Sequence, residues 1–311
     1  MTENVILPVR VRVPGSSANL GPGFDVLGVA LELWLEAAVF APGGGRPRVR
    51  LSGRHTEGIA TDDSNLILKS FRRGFEAAGR PAPPVCLELE NQIPLARGLG
   101  SSGAAAVAGL MLANHCGRLD LPTQRLAWLA AELEDGHPDN VTASLCGGLT
   151  VACALGEGRV ETLRLQWPEG ISLVVAVPEF RLETSKARAV LPVSYARSDA
   201  VFNLQRVALL VGALASGAGA ARRLAAALED RLHQPYRAPL VPGLREALEL
   251  RAPGLLGVVL SGAGPSLLAW IEGSPQPAVE ALEGVYRRLG MAAEVRPLAV
   301  AAAGATVMSD K

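Results

Sequence analysis

The chain predicts an α+β fold built as two units, and three observations carry that reading. Alternating, β-branched stretches are interleaved with amphipathic helices, but without the regular strand-helix-strand rhythm of a parallel α/β sheet. Its 311 residues fit one large or two medium domains, at roughly 100 to 200 residues each. A breaker, Trp167-Pro168-Glu169-Gly170, stands near the middle. The expected units are therefore residues 1–166 and 167–311, each around a mixed sheet.

In chain order, VILPVRVRV (5–13) alternates and predicts a strand, and VLGVALELWLEAAVF (26–40) predicts a longer one. Between them PGSSANLGPGFD (14–25) reads as a Gly/Pro/Asn loop. TDDSNLILKSFRRGFEAAG (61–79) predicts a capped amphipathic helix that stops at Gly79 before RPAPP, and VCLELE (85–90) predicts a strand. Residues 101–116 and 122–134 predict two successive helices, Pro122 opening the second. HPDN reads as a turn, and the apolar ISLVVAV (171–177) predicts a buried strand. SDAVFNLQRVALLVGALASG (198–217) and ARRLAAALEDRL (221–232) predict paired helices. LLGVVL, SGAGPS and LLAWIE (255–272) predict strand, turn and strand; a helix near 276–289 and a final strand, AAEVRPLAV (292–300), follow.

Composition narrows the function. Thirty Lys plus Arg balance thirty Asp plus Glu, so the basic footprint that a nucleic-acid or anionic-membrane partner requires is absent. Only Lys69, Lys186 and Lys311 are lysines, which leaves few candidates for any mechanism needing one. The segment MTENVILPVRVRV lacks the apolar core of a secretory signal. No run of about 18 apolar residues is free of charge, so a membrane span is not expected. Cys86, Cys116, Cys146 and Cys153 lack C-x-x-C spacing and read as packed, reduced thiols, which fits the cytoplasm. Four histidines without ligand spacing make a zinc site unexpected.

The stretch with most chemical content is PLARGLGSSGA (94–104). Gly98, Gly100 and Gly103 spell G-x-G-x-x-G, but a dinucleotide fingerprint needs a tight strand-to-helix turn and an acid at the end of the next strand. Here a seven-residue loop containing Pro94 follows the strand, and Asp120 lies between two helices. A Walker A loop needs a lysine, and this segment has none. What survives is a glycine cradle with Ser101 and Ser102 feeding a helix N-terminus, a surface suited to phosphate, or else a plainly capped helix.

Other segments break that tie. PGSSANLGPGFD, RGLGSSGAAAV, GHPDNV, LETSKAR, HQPYR and LSGAGPSLLAW occur in this order from residue 14 to residue 270. Together they resemble the GHMP kinase superfamily and, within it, the homoserine kinase family. Galactokinase and mevalonate kinase relatives place Lys or Arg after the first Pro-Gly, whereas here Pro14-Gly15 is followed by Ser16-Ser17-Ala18-Asn19. The resemblance implies an N-terminal domain like ribosomal protein S5, a C-terminal ferredoxin-like α/β sandwich, and ATP-dependent phosphorylation of the side-chain hydroxyl of L-homoserine on the route to threonine. It also implies Mg²⁺ and, since relatives are often dimers, a homodimer.

Residue by residue, the resemblance assigns Pro94, Leu95, Ala96, Arg97, Gly98, Leu99, Gly100, Ser101, Ser102, Gly103 and Ala104 to ATP, with Asn65 against the adenine or as a helix cap. Ser101 and Glu134 are the implied metal ligands, with Asp135 as the competitor of Glu134. Arg188 and Arg237 resemble a carboxylate clamp, a task that suits the planar fork of arginine. Asn19, Asp25, His137 and Thr184 are implied to hold the rest of the amino acid. Relatives are thought to lack a dedicated base, and Asp25, Asp139 and Asn140 are the implied groups around the reacting hydroxyl. LSGAGPS is implied to support the nucleotide loop. Two other readings are a superfamily kinase for another small carboxylate-bearing alcohol, and a nucleotide and ligand sensor without turnover.

Overall fold

The computed structural model describes residues 5–216 and 220–308; Gly217 and Lys311 lie outside them. β1 (Val9–Ala18) turns Val9, Val11 and Val13 inward and Arg10 outward. It begins later than expected and continues through Pro14–Ala18, the first part of the predicted loop. A register shift between Pro14 and Gly15 absorbs the proline, and pairing with β2 (Leu27–Phe40) resumes from Gly15 opposite Leu31 to Ala18 opposite Gly28. The true loop is only residues 19–26, bracketed by two paired strands.

β3 (Val49–Gly53) is short and half exposed, and the sequence pattern does not reveal it. α1 (Leu66–Ala77) opens on Asn65, whose side chain accepts from the Ile67 N–H. β4 (Cys86–Asn91), α2 (Ser101–Gly117) and α3 (Thr123–Leu133) follow as expected. HPDN is not a free turn: Pro138 caps α4 (Asp139–Cys146), and Asp139 sits in its first turn. The hairpin β5 (Leu149–Gly156) and β6 (Arg159–Leu165) completes this part and was not expected, because its outward residues are mostly apolar or charged without clean alternation. Cys153 lies on that outward face and is exposed, whereas Cys86 and Cys116 are buried; all four thiols are free.

Beyond the breaker come β7 (Ile171–Pro178), α5 (Thr184–Ala189), α6 (Arg197–Ser216), α7 (Ala220–Ala227), α8 (Gln234–Arg237), α9 (Leu244–Leu248), β8 (Leu255–Leu260), β9 (Leu267–Glu272), α10 (Gln276–Arg288), β10 (Ala293–Leu298) and β11 (Thr306–Met308). Two sheets result. The first runs β11-β1-β2-β4-β3, with β5 on β2 and β6 on β5, and is mixed because β3 and β4 are parallel. The second, β10-β7-β9-β8, is antiparallel throughout and not mixed as expected.

Burial explains why ISLVVAV is apolar without alternating. Leu173, Val175, Leu268 and Trp270 belong to the core shared with the first sheet, while Val174, Ala176, Leu267 and Ala269 belong to a second core under α9 and α10. A strand covered on both faces needs apolar residues at every position. α6 is long and apolar enough, by length and composition alone, to cross a membrane. It also packs beside α7, buries Asn203, Leu210, Ala213 and Leu214, and pairs Arg206 with Glu229. After β10 the chain returns to the first sheet, where Ala301 N–H bonds Ala30 and β11 pairs with β1.

Candidate active site

The loop before α2 is gripped from two sides. Leu99 O accepts from Ser16 N–H of β1 at 3.1 Å, and Arg97 O accepts from Ser266 N–H at 3.1 Å. Ser261 Oγ donates to Gly98 O at 2.6 Å and lies 2.8 Å from Ser17 Oγ. Gly98 and Gly100 have φ of +73° and +69°, a left-handed backbone that favours glycine. A Cβ at Gly98 would overlap the Ser261 carbonyl, and one at Gly100 would overlap Ser16 Oγ. Gly100 caps α2 without a side chain, so the first-turn amides have no partner one turn back and form an anion-binding surface.

Across this cradle stands the end of α3. Ser102 Oγ, not Ser101 Oγ, hydrogen-bonds Glu134 Oε1, because one step along a helix turns the hydroxyl by about 100°. Burial raises the Glu134 carboxyl to about 7, with Asp135 adding to the shift and the Ser102 hydroxyl opposing it. Glu134 O lies 2.7 Å from His137 Nδ1, and His137 Nε2 lies 3.9 Å from Asp25 Oδ2. Asp139 is buried at the start of α4, and its Oδ1 accepts from Asn140 N–H at 2.7 Å. Burial raises its carboxyl to about 7, and the nearby Asp25 charge adds to this. Asn140 Oδ1 accepts from Ser16 Oγ at 2.9 Å, which ties α4 to β1.

The third wall is the 19–26 loop facing α5 and α8. Asn19 has φ +69°, donates to Gly262 O at 2.9 Å and accepts from Asp25 N–H at 3.0 Å. Asp25 takes a bidentate pair from Arg188, at 2.7 and 3.3 Å. Arg237 is 1% exposed; its Nε donates to Ala187 O at 3.0 Å and its Nη1 to Gly262 O at 3.2 Å. Burial, and the neighbouring Arg188 charge, lower its guanidinium to about 10. The two guanidinium carbons lie 5.6 and 5.4 Å from the Phe24 ring.

One cavity of about 270 Å³ collects most of these groups: Asn19, Pro94, residues 96–102, Glu134, Asp135, His137, Asp139, Asn140, Thr184, Arg188 and Arg237. Leu95 lines instead a neighbouring cavity of about 550 Å³ with His55, Thr56, Arg97 and Arg181, and Pro94 and Arg97 border both. Gly103 and Ala104 are buried inside α2, and Asp25 meets the first cavity through Arg188. Asn65 borders neither: its Oδ1 caps α1 and its Nδ2 donates to Ala60 O. Among the described residues, Arg97 Nη1 and Arg188 Nε are buried without a hydrogen-bond partner. Such orphaned donors beside an anion cradle fit a phosphorylated nucleotide and a carboxylate-bearing ligand. Ser102 and Glu134 supply an oxygen pair of the kind Mg²⁺ takes alongside phosphates. No cluster of three His, Cys, Asp or Glu that would form a self-contained metal cage occurs among the described residues.

The chain as a whole is similar to known proteins. Residues 65–148 match the model of the GHMP kinases N terminal domain, and residues 207–288 match that of the GHMP kinases C terminal domain. The homoserine kinase of Solibacter usitatus is 45% identical over 289 residues, covering 92% of each chain. That of Synechococcus sp. is 45% identical over 306 residues, covering 97% of this chain and 98% of the relative. The chain belongs to the homoserine kinase family of GHMP kinases. A crystal structure of homoserine kinase from Cytophaga hutchinsonii superposes with a TM-score of 0.83 at 25% identity, covering 99% of this chain and 98% of that one. The α+β reading and the GHMP kinase fold both hold.

Sequence reasoning did not single out Ser16, Phe24, Ser261 or Gly262, although each lies inside a quoted motif: a backbone carbonyl, a packing ring or a serine hydroxyl that bonds a distant segment leaves no residue-type signal. The raised Asp139 carboxyl has a consequence for stability. A folded-state value above the ordinary 3.8 means that the favourable contribution is complete below that value and is lost as pH rises through about 7. Asp139→Asn removes the loss. In thermal melts without ligand, the variant should exceed the native chain in stability at pH 8, by about 2 kcal/mol more than at pH 5. A stability difference that does not change between these pH values would contradict this.

Proposed function

We propose that this chain transfers the γ-phosphoryl group of ATP to the side-chain hydroxyl of L-homoserine, giving O-phospho-L-homoserine. The observation that carries the reading is the convergence on one cavity of a glycine cradle, the buried Arg237 beside the half-buried Arg188, and the Ser102–Glu134 couple. The relatives at 45% identity are homoserine kinases, which supports the same substrate.

The amides of the α2 N-terminus and the Arg97 guanidinium hold the phosphates, and the neighbouring cavity beside Leu95 is assigned to the nucleoside. Ser102 and Glu134 would hold Mg²⁺, whose charge offsets that developing on the phosphates. Ser102 takes the place that the resemblance gave to Ser101, because it alone of the two bonds Glu134. Arg237 and Arg188 bind the substrate carboxylate; Asn19, Asp25, His137 and Thr184 hold the remainder of the amino acid. Asn140, fixed by Ser16, orients the hydroxyl. Of the two aspartates, Asp25 is occupied by two N–H bonds from Arg188, whereas Asp139 has its proton affinity near neutrality, so Asp139 is the better acceptor for the departing proton.

The same proposal includes residues 1–166 and 167–311 as the two working units, a homodimer and a cytoplasmic location. The free thiols agree with a reducing compartment.

A coupled ADP-release assay tests the activity. Homoserine should be turned over selectively against serine, threonine and mevalonate, and removal of Mg²⁺ should abolish turnover. Thermal stabilisation by homoserine without ADP release would instead make the chain a sensor. Asp25→Asn separates binding from chemistry: the homoserine KM should rise by about tenfold or more, while kcat falls far less. A collapse of kcat at unchanged KM would make Asp25 the proton acceptor.

A further inference from the structure

The HQPYR segment carries a second group besides Arg237. His233 is fully buried, and each ring nitrogen has one main partner. Nε2 lies 2.8 Å from Gly21 O, and Nδ1 lies 3.2 Å from Arg237 Nη1. A guanidinium can only donate, so Nδ1 accepts and the proton sits on Nε2, which donates to the Gly21 carbonyl. Burial holds the ring's pKa below its ordinary value and the Arg237 charge lowers it further, while Asp230 opposes the shift; the neutral tautomer is the one the geometry requires.

The ring also stacks on Phe24, with centroids 5.2 Å apart and planes 19° apart. Phe24 is the residue before Asp25, and its ring lies near both guanidiniums. His233 therefore touches the 19–26 loop twice, at Gly21 and Phe24, and touches Arg237 on its other edge.

The backbone that carries the imidazole is held by a buried carboxylate, whose Oδ2 also lies 3.6 Å from His233 Nε2. Asp230 accepts from the backbone N–H of Leu232, His233 and Gln234 at 2.9, 3.0 and 2.7 Å, and from Asn203 Nδ2 at 2.7 Å. Asn203 Nδ2 also donates to Pro22 O at 3.2 Å, a third fastening of the same loop. The loop has little room to shift, since a Cβ on Gly21 would overlap the Leu228 carbonyl.

We infer that His233 is a positioning residue for the amino-acid substrate, orienting Arg237 through Nδ1 and the 19–26 loop through Nε2. Among the described residues His233 makes no hydrogen bond to residues 94–104 and reaches that loop only indirectly, through Arg237, Gly262 and Ser261, so its main effect belongs to the amino-acid side of the cavity. The inference rests on the proposed activity with homoserine.

Two isosteres divide the two bonds. The amide oxygen of His233→Asn can stand near Nδ1 and still accept from Arg237, whereas the amide nitrogen of His233→Gln can stand near Nε2 and still donate to Gly21. Steady-state kinetics of both variants and the native chain, with homoserine and ATP varied separately, provide the test. In His233→Gln the homoserine KM should rise by about tenfold or more while the ATP KM stays within about twofold, and His233→Asn should show the same split more weakly. If His233→Gln does not fold, the split in His233→Asn decides alone. Equal changes in both KM values, or a loss confined to kcat, would overturn the positioning role. Absence of homoserine turnover by the native chain would overturn the activity itself and, with it, this inference.

Discussion

The site depends on a close backbone contact. Residues 97–99 are pressed between β1 and the 261–266 turn, so closely that neither Gly98 nor Gly100 has space for a Cβ. That contact sets the direction of the α2 N-terminus, and it joins a strand of the first sheet to a hairpin of the second. The glycine loop is thus part of the packing between the sheets and not an appended segment. Burial of Leu173, Val175, Leu268 and Trp270 in the shared core holds the second sheet where the Ser261 turn can reach the loop.

Charge is arranged by the same packing. Arg237 is buried because the carbonyls of Ala187 and Gly262 satisfy its donors, and Asp25 faces Arg188 at bidentate range. A buried guanidinium left without such partners would be strongly destabilising. The Arg188–Asp25 pair is partly exposed and adds only modestly to stability. Its value is positional: it holds the guanidinium at the cavity wall. Asp139, crowded by Asp25 and shielded from water, carries the opposite strain, an energetic cost retained at the site.

Much of this was legible in the sequence. The long strands, the helices α1 to α3, the paired helices α6 and α7, and the β8–β9 hairpin all follow from periodicity and punctuation. Short or register-shifted elements did not. β1 continues through Pro14 and Gly15 because a bulge accommodates them, α4 begins at a proline that reads as a turn, and β3 and the β5–β6 hairpin lack clean alternation. At the site, ordered motifs brought Asn19, His137, Arg188 and Arg237 to one cavity. Choosing between Ser101 and Ser102 required the rotation of a helix, and the roles of Ser261, Gly262 and His233 required knowing which atoms they meet across separations of 163 to 243 residues.

The most direct test of the central claim is a titration of ATP with Mg²⁺, followed by calorimetry, into the native chain and Gly98→Ala. If the cradle exists because Gly98 lets the loop lie against Ser261, the added methyl weakens ATP binding by about tenfold or more, equivalent to at least about 1.4 kcal/mol, while circular dichroism shows a folded chain. An unchanged ATP affinity in a folded Gly98→Ala variant would contradict the account.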